Sequence, residues 1–241
     1  MPGRSSDVAA AGGAADGERQ DLAAYGFSVR QRLGIMFLSY VPLLHVLCVL
    51  LILLYPWARP AWRILGAAAA LYLAPPLAAR MLLAAAPFRK SVIAMGTRDF
   101  FTWWALLAFQ VIFCRFPALE EALRVVPALY SFWLRLWGSR IGRLVYWSPG
   151  TQVLDRSFLD IGDDVIFGAG VRLNPHVLAR NASGELELVL APVKIGARAI
   201  VGGYSLLTAG TEILPGECLQ ALLVSPPFTR WKDGKRIRDR D

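Results

Sequence analysis

IGDDVIFGAGVRLNPHVL (residues 161–178) and VKIGARAIVGGYSLLTAGTEILPGEC (residues 193–218) share a period of six. Ile161, Phe167 and Leu173 in the first stretch are large and apolar, as are Ile195, Val201, Leu207 and Ile213 in the second. Read backwards, the rhythm extends through Val153, Trp147 and Ile141. Four residues after these positions stand Val145, Thr151, Ser157, Val165, Val171, Val177, Ala199, Ser205 and Thr211, all small or β-branched. Gly142, Gly162, Gly168, Gly196 and Gly202 directly follow inward positions, with Asn174 at an equivalent place. Glycine and asparagine tolerate turn geometry that other residues resist.

Two such ladders predict a parallel β-helix of triangular section. Each hexad supplies a short strand and a corner, and three hexads make one coil of about 18 residues. Residues 141–158, 161–178 and 195–212 form three coils, with a partial fourth from Ile213. An antiparallel sandwich would need a period of two and a hairpin turn every 8–12 residues or so. That pattern is absent.

The two quoted stretches resemble the left-handed β-helix, hexapeptide-repeat acyltransferase family. From WLRLWGSRIG (133–142) through LNPHVLAR (173–180) to ILPGECLQALL (213–223), the chain is most similar to the membrane-attached acetyltransferase-like modules of poly-lysine-synthetase-type proteins. The resemblance covers about residues 130–224. It implies an all-β left-handed parallel β-helix preceded by an α-helical membrane region, with acetyl-CoA or another acyl-CoA as co-substrate. It also implies one histidine as general base near a loop that leaves the helix, and a homotrimer that completes the site between neighbouring β-helices.

His176, in Leu173-Asn174-Pro175-His176, is the candidate base, followed at once by an irregular insertion over about Ala179 to Pro192. Imidazole, with an ordinary pKa near 6.5, is well matched to proton transfer at neutral pH. The alternative is a corner histidine with no role. Counting along the coils places Arg156 at the matching position one coil earlier and Gly210 one coil later. Gly210 is expected to leave a gap beside the imidazole for a pantetheine arm or an acetyl group. Arg156 either stabilises a nearby negative charge or is a solvated corner. By the resemblance, Gly202, Gly203 and Ala209 line the coil that carries the CoA, with backbone amides as donors. Lys232, with Lys235 and Arg236, meets either CoA phosphates or lipid phosphates and water.

Composition adds the membrane. The 241 residues are 56% hydrophobic and 18% charged, and mean hydropathy is +0.45, against about 45–50% apolar and 25% charged in ordinary soluble domains. Ile35 to Tyr55 contains no charged residue, close to the roughly 20 apolar residues that span the hydrocarbon core. A transmembrane helix is expected over about 35–56. A second, over about 62–86, is kinked by Pro75-Pro76 and carries Arg80 near its end, with a re-entrant hairpin as the alternative. Phe100 to Trp137 mixes apolar and charged positions and reads as interfacial helices, aromatic side toward lipid, with a third span as the alternative. His45 lies within the first span, and Glu120-Glu121 read as helix surface.

The expected organisation is a disordered tail over 1–24, a membrane region over 25–138, the β-helix over 139–224 and a basic tail over 225–241. The tail is not a signal peptide, because acidic residues precede an apolar run that begins late. Net charge is +8, and the cations flank apolar segments, which favours anionic lipid over nucleic acid as partner. Arg30, Arg32, Arg89, Lys90 and Arg98 flank the outer ends of the two spans, so both termini are expected in the cytoplasm of a multi-pass protein of the inner membrane. Cys48, Cys114 and Cys218 form no C-x-x-C pair, and two histidines cannot build a His-rich site, so no metal is expected.

The leading function is an acetyl-CoA-dependent acyltransferase acting on a lipid-linked or membrane-proximal acceptor, since a soluble acceptor needs no enzyme at the bilayer. Two alternatives remain: a module that condenses aminoacyl groups delivered by a separate adenylation and carrier partner, and a non-catalytic β-helix scaffold. The γ-class carbonic anhydrases share the implied fold but need three histidines, and are excluded.

Overall fold

The computed structural model describes residues 27–56 and 58–237, and the expected tail over 1–24 lies outside them. Helix α1 (Val29–Ser39) starts at a capping box: the Ser28 hydroxyl accepts from Gln31 N–H while the Gln31 side chain accepts from Ser28 N–H, which satisfies two of the otherwise unpaired donors. A break at Tyr40 leads into α2 (Val41–Leu54), with Pro42 in its first turn. Helices α3 (Pro60–Tyr72) and α4 (Ala74–Ala85) are likewise separated at Leu73, with Pro75 and Pro76 opening α4. Proline is tolerated there because the first N–H groups of a helix have no internal acceptor. Val29–Leu54 and Pro60–Ala85 each run 26 residues, with mean hydropathy 2.5 and 1.5, and are long and apolar enough to cross a membrane. Phe37, Leu44, Leu51, Ile64 and Met81 are exposed along them, and α2 packs along α3.

After β1 (Val92–Ala94) come α5 (Arg98–Arg115), α6 (Ala118–Arg124) and α7 (Leu129–Leu136). Thr97 caps α5, and Asp99 and Arg115 complement its two ends. An 80° bend separates α5 from α6. The aromatic face of α5 does not point away from the protein as the sequence suggests. Phe100, Trp103, Leu106, Gln110 and Phe113 are buried, and indole and amide groups there find partners on the β-helix. On α7, Trp133 is buried, as is Trp137 just beyond its end. Both join the same core as Ile141, Val153 and Phe167, so this helix closes the first coil.

The remaining strands wind as a three-sided parallel β-helix. One side is β2 (Arg140–Ile141), β5 (Leu159–Ile161), β10 (Val193–Ile195), β13 (Glu212–Ile213) and β16 (Arg230–Lys232). The second is β3 (Tyr146–Trp147), β6 (Ile166–Phe167), β11 (Ile200–Val201) and β14 (Cys218–Leu219). The third is β4 (Gln152–Val153), β7 (Arg172–Asn174), β12 (Leu206–Thr208) and β15 (Val224–Ser225). Ile141, Ile161, Ile195, Ile213 and Trp231 stack in register, as do Trp147, Phe167, Val201 and Leu219. Val153, Leu173, Leu207 and Ser225 complete the core.

Three expectations need correction. The coil does not stop at residue 224: β15 finishes a further turn, β16 begins another, and β17 (Lys235–Ile237) folds back antiparallel on β16. The apolar rhythm hides this because Ser225 stands in the ladder, its hydroxyl accepting from Trp231 Nε1 at 2.9 Å and from Thr211 Oγ1 at 3.0 Å. The glycines after inward positions serve close approach between coils rather than turn strain; a Cβ on Gly162 would lie 2.5 Å from Ala197 N. The left-handed residue comes three places after the inward one, at Leu144, Asp164, Arg198, Tyr204, Leu222 and Phe228 as well as at Gly150, Gly170, Gly210 and Gly216. Finally, the insertion is not irregular. It is a hairpin of β8 (His176–Arg180) and β9 (Leu186–Leu190), and β1 pairs with β9 to make a three-stranded antiparallel sheet.

Candidate active site

His176 is the first residue of β8, where Pro175 takes the chain out of the coil. Its Nδ1 meets Asp155 Oδ2 in a short contact, and the other oxygen, Asp155 Oδ1, accepts from Trp103 Nε1 at 2.9 Å. The Asp155 side chain is fully buried, whereas 19% of the His176 side chain remains accessible. The Trp103 ring meets the imidazole edge-on, with centroids 4.9 Å apart. A carboxylate on Nδ1 orients the ring and leaves Nε2 for an incoming group.

The electrostatics favour a base. Burial works to lower the imidazole pKa, but the hydrogen bond to Asp155 and its negative charge outweigh this and raise it above the ordinary value. Asp155 itself has φ +47°, a left-handed conformation uncommon in residues other than glycine. It falls two residues after Val153 instead of three, at a corner where the Val153-to-Ile161 spacing exceeds a hexad by two. That irregularity lets Asp155, rather than the residue at the matching count, reach His176.

The matching residue, Arg156, is neither a solvated corner nor a partner of His176. Its side chain is 1% exposed and ion-paired to Glu120 of α6, whose side chain is 5% exposed. Arg156 Nε donates to Glu120 Oε1 at 2.6 Å, and Nη1 to Gln110 Oε1 at 3.1 Å. Tyr130 Oη donates to Glu120 Oε2 at 2.8 Å. Burial works against the charge on Arg156, but that of Glu120 outweighs it and holds the guanidinium above its usual range. Burial and the Glu120 charge together push the Tyr130 hydroxyl up. Glu120 is therefore not helix surface, as the sequence suggested; Glu121 is, in part.

Of the other expected site residues, Ala209 and Gly210 lie beside the hairpin that begins at His176, whereas Gly202 and Gly203 follow β11 and Lys232 ends β16, on other sides of the β-helix. The Cβ position at Gly210 is not open: with φ +70°, the residue lies against the Phe228 ring, and an added Cβ would come within 2.5 Å of it. Ala209 is fully buried and packs with Val189 and Ala191 beneath the hairpin. The Gly202 N–H donates to Leu219 O at 2.9 Å in the next coil and the Gly210 N–H to Ala191 O at 3.2 Å at the end of the hairpin, so both amides already have acceptors. Gly203 is half-buried at the turn before Tyr204. Lys232 is exposed at the end of β16, opposite Lys235 of β17, on a different side of the β-helix from β7, which leads to His176. Among the described residues no cluster of three or more His, Cys, Asp or Glu side chains could hold a metal ion. His45 Nε2 lies 3.0 Å from Ala70 O of α3, a partner within the helical region.

Asp155 and Trp103 escaped the sequence reading. The lengthened corner after Val153 marks Asp155; no local signal marks Trp103, which lies 52 residues away in sequence.

No model of a known protein family matches the sequence, and no curated protein matches it. Among solved structures, a maltose O-acetyltransferase from Clostridium difficile is 19% identical over 52% of this chain and 82% of that one, with a TM-score of 0.38. A galactoside acetyltransferase in complex with coenzyme A is 14% identical over 52% of this chain and 78% of its own, at a TM-score of 0.34. A hexapeptide-repeat acetyltransferase from Vibrio cholerae complexed with acetyl coenzyme A is 13% identical over 54% and 87%, at a TM-score of 0.34.

Proposed function

We propose that the protein is a membrane-bound acyltransferase of the left-handed β-helix type, with acetyl-CoA or another acyl-CoA as donor and His176 as general base. The observation that carries this reading is the Asp155–His176 pair, set where the chain leaves the coil. In the reaction, His176 Nε2 removes the proton from an acceptor hydroxyl or amine as that oxygen or nitrogen bonds to the thioester carbonyl carbon. The tetrahedral intermediate collapses, the C–S bond breaks, and the imidazolium returns its proton to the departing thiolate. Asp155 holds the ring in place and stabilises the imidazolium, as a carboxylate on Nδ1 does in other base-assisted acyl transfers.

The acceptor is lipid-linked or membrane-proximal, because α5, which supplies Trp103, and the strand β1 follow directly on the second candidate span. We place the protein in the inner membrane, with both termini and the β-helix in the cytoplasm, where acyl-CoA is found. It works as a homotrimer. Gly202, Gly203, Ala209, Gly210 and Lys232 are not needed to hold the base, and any role they have lies in donor binding.

The test is acyl transfer by the purified full-length chain in mild detergent, with labelled acetyl-CoA and extracted membrane lipid as acceptor. Label passing to lipid with the wild type and not with His176→Ala supports the reading. Equal transfer by both ends it.

A further inference from the structure

The helical region preceding the β-helix reaches the base at two points. Trp103 of α5 donates its indole N–H to Asp155 Oδ1 at 2.9 Å and is itself 3% exposed. Strand β1 extends the sheet whose strand β8 begins at His176, pairing Val92 with Val189 and Ala94 with Glu187. Gln110, two turns further along α5, fixes the next residue of the coil: its Oε1 accepts from the Arg156 backbone N–H at 2.8 Å. The segment Asp155–Arg156 is thus gripped from outside the β-helix, at the corner where the Val153-to-Ile161 spacing exceeds a hexad by two.

We propose that Trp103 is a positioning residue for His176, acting through Asp155, so that the site is completed by the membrane-proximal helix α5 and not by the β-helix alone. This rests on the reading of His176 as the base. The physical argument concerns a buried carboxylate with two oxygens and two donors. With Oδ1 held by the indole, only Oδ2 is left to face Nδ1, and the imidazole is locked as the tautomer with its proton on Nδ1 and its lone pair on Nε2. Without the indole N–H the carboxylate can rotate, and its charge is poorly compensated whenever His176 is neutral. That state suffers more than the imidazolium state, in which the ring itself supplies a charged donor. Losing the N–H therefore raises proton affinity at His176 and loosens its tautomer. Among the described residues, the charge that acts on His176 is that of Asp155. Arg156, next in the chain, faces Glu120 and Gln110, and the hairpin presents Leu190 opposite His176.

The experiment uses the two-histidine composition of the chain. The full-length protein, labelled with nitrogen-15 in its histidine rings and held in detergent micelles, gives signals from His45 and His176 alone, assigned with His45→Asn and His176→Asn. In the wild type, His176 should show a single neutral tautomer protonated on Nδ1. Trp103→Phe, which keeps a ring against the imidazole but lacks the N–H, should raise the His176 titration midpoint by about one pH unit and mix the tautomers, leaving His45 unmoved. Trp104→Phe should change neither. If Trp103→Phe loses its helical signal, benzothienylalanine at position 103 keeps the bicyclic shape without the donor. An unchanged midpoint and tautomer in either variant overturns the proposal. The spectrum reads positioning without any acceptor, so this outcome is distinct from His176 failing as a base, which only the transfer assay reports.

Discussion

Arg156 and His176 stand at matching places one coil apart, counted from Val153 and Leu173, yet they take different partners. Arg156 turns to Glu120 and Gln110, and His176 takes the carboxylate of Asp155, one residue earlier. Two adjacent residues, Asp155 and Arg156, thus belong to two different pairs: a buried ion pair with Glu120 and a carboxylate–imidazole pair whose ring remains partly accessible. Each can be tested by itself.

His176→Ala is expected to lower turnover by about 10²–10⁴-fold, the usual worth of a positioned acid–base group. The Michaelis constant for acyl-CoA should hardly change, since the lost interaction matters mainly in the transition state. The melting temperature should fall, because the fully buried Asp155 keeps only the Trp103 N–H as donor, so turnover is compared in the folded fraction. Steady-state kinetics beside a melting curve check both halves.

The pH profile follows from the direction of the His176 shift. A base must be neutral to accept a proton, and the hydrogen bond and charge of Asp155 hold the imidazole above its ordinary pKa despite burial. The rising limb of kcat/KM should therefore lie above about pH 6.5. Asp155→Asn removes the charge and leaves burial in control, so the limb should move to lower pH while the plateau falls. A limb that stays in place would show that Asp155 does not govern His176.

Glu120→Ala should destabilise the fold by about 3–5 kcal/mol, the cost of leaving a buried charge without its partner. Arg156 is 1% exposed, and among the described residues no other carboxylate pairs with it. Glu121→Ala, which removes a half-exposed partner of Arg124, should cost no more than about 1 kcal/mol. Denaturant melts of the two variants give the comparison.

By the hexad count alone, Gly210→Leu would fill a gap beside the imidazole and impair donor binding. The Phe228 ring and the left-handed backbone at Gly210 change that expectation to a loss of stability, by roughly 1–3 kcal/mol or more. A lower melting temperature with acyl-CoA affinity intact in the folded fraction is the expected outcome.

Topology and assembly are open to direct measurement. With Cys48, Cys114 and Cys218 replaced by serine, a single cysteine at Arg236 should resist an impermeant maleimide in intact cells and react after lysis. Light scattering in mild detergent should give the mass of three chains. Tyr146, Ile166 and Ile200 form an outward row on the second side of the β-helix and are exposed. Replacing Ile166 and Ile200 by lysine is expected to reduce the mass to one chain if that row is the interface.

The periodic features were legible in the sequence because they repeat: ten apolar positions, each six residues from the next within a run, can only stack in one register. The two apolar helices were legible for a similar reason, since length and hydropathy are sums over many residues. His176 stood out as one of only two histidines, placed beside an interruption of the repeat. What sequence could not decide depends on single side chains reaching across large separations. Asp155 became the partner of His176 because the corner after Val153 is two residues too long, and that shift swaps its place with Arg156. Glu120 was buried by Arg156, 36 residues on, and Trp103 was brought to Asp155 by the packing of α5 against the first coil. Periodicity determines which face of a repeating strand turns inward. Only the tertiary structure decides which irregular residues meet where the repeat is broken, because there the backbone path is set by packing between elements rather than by the hexad.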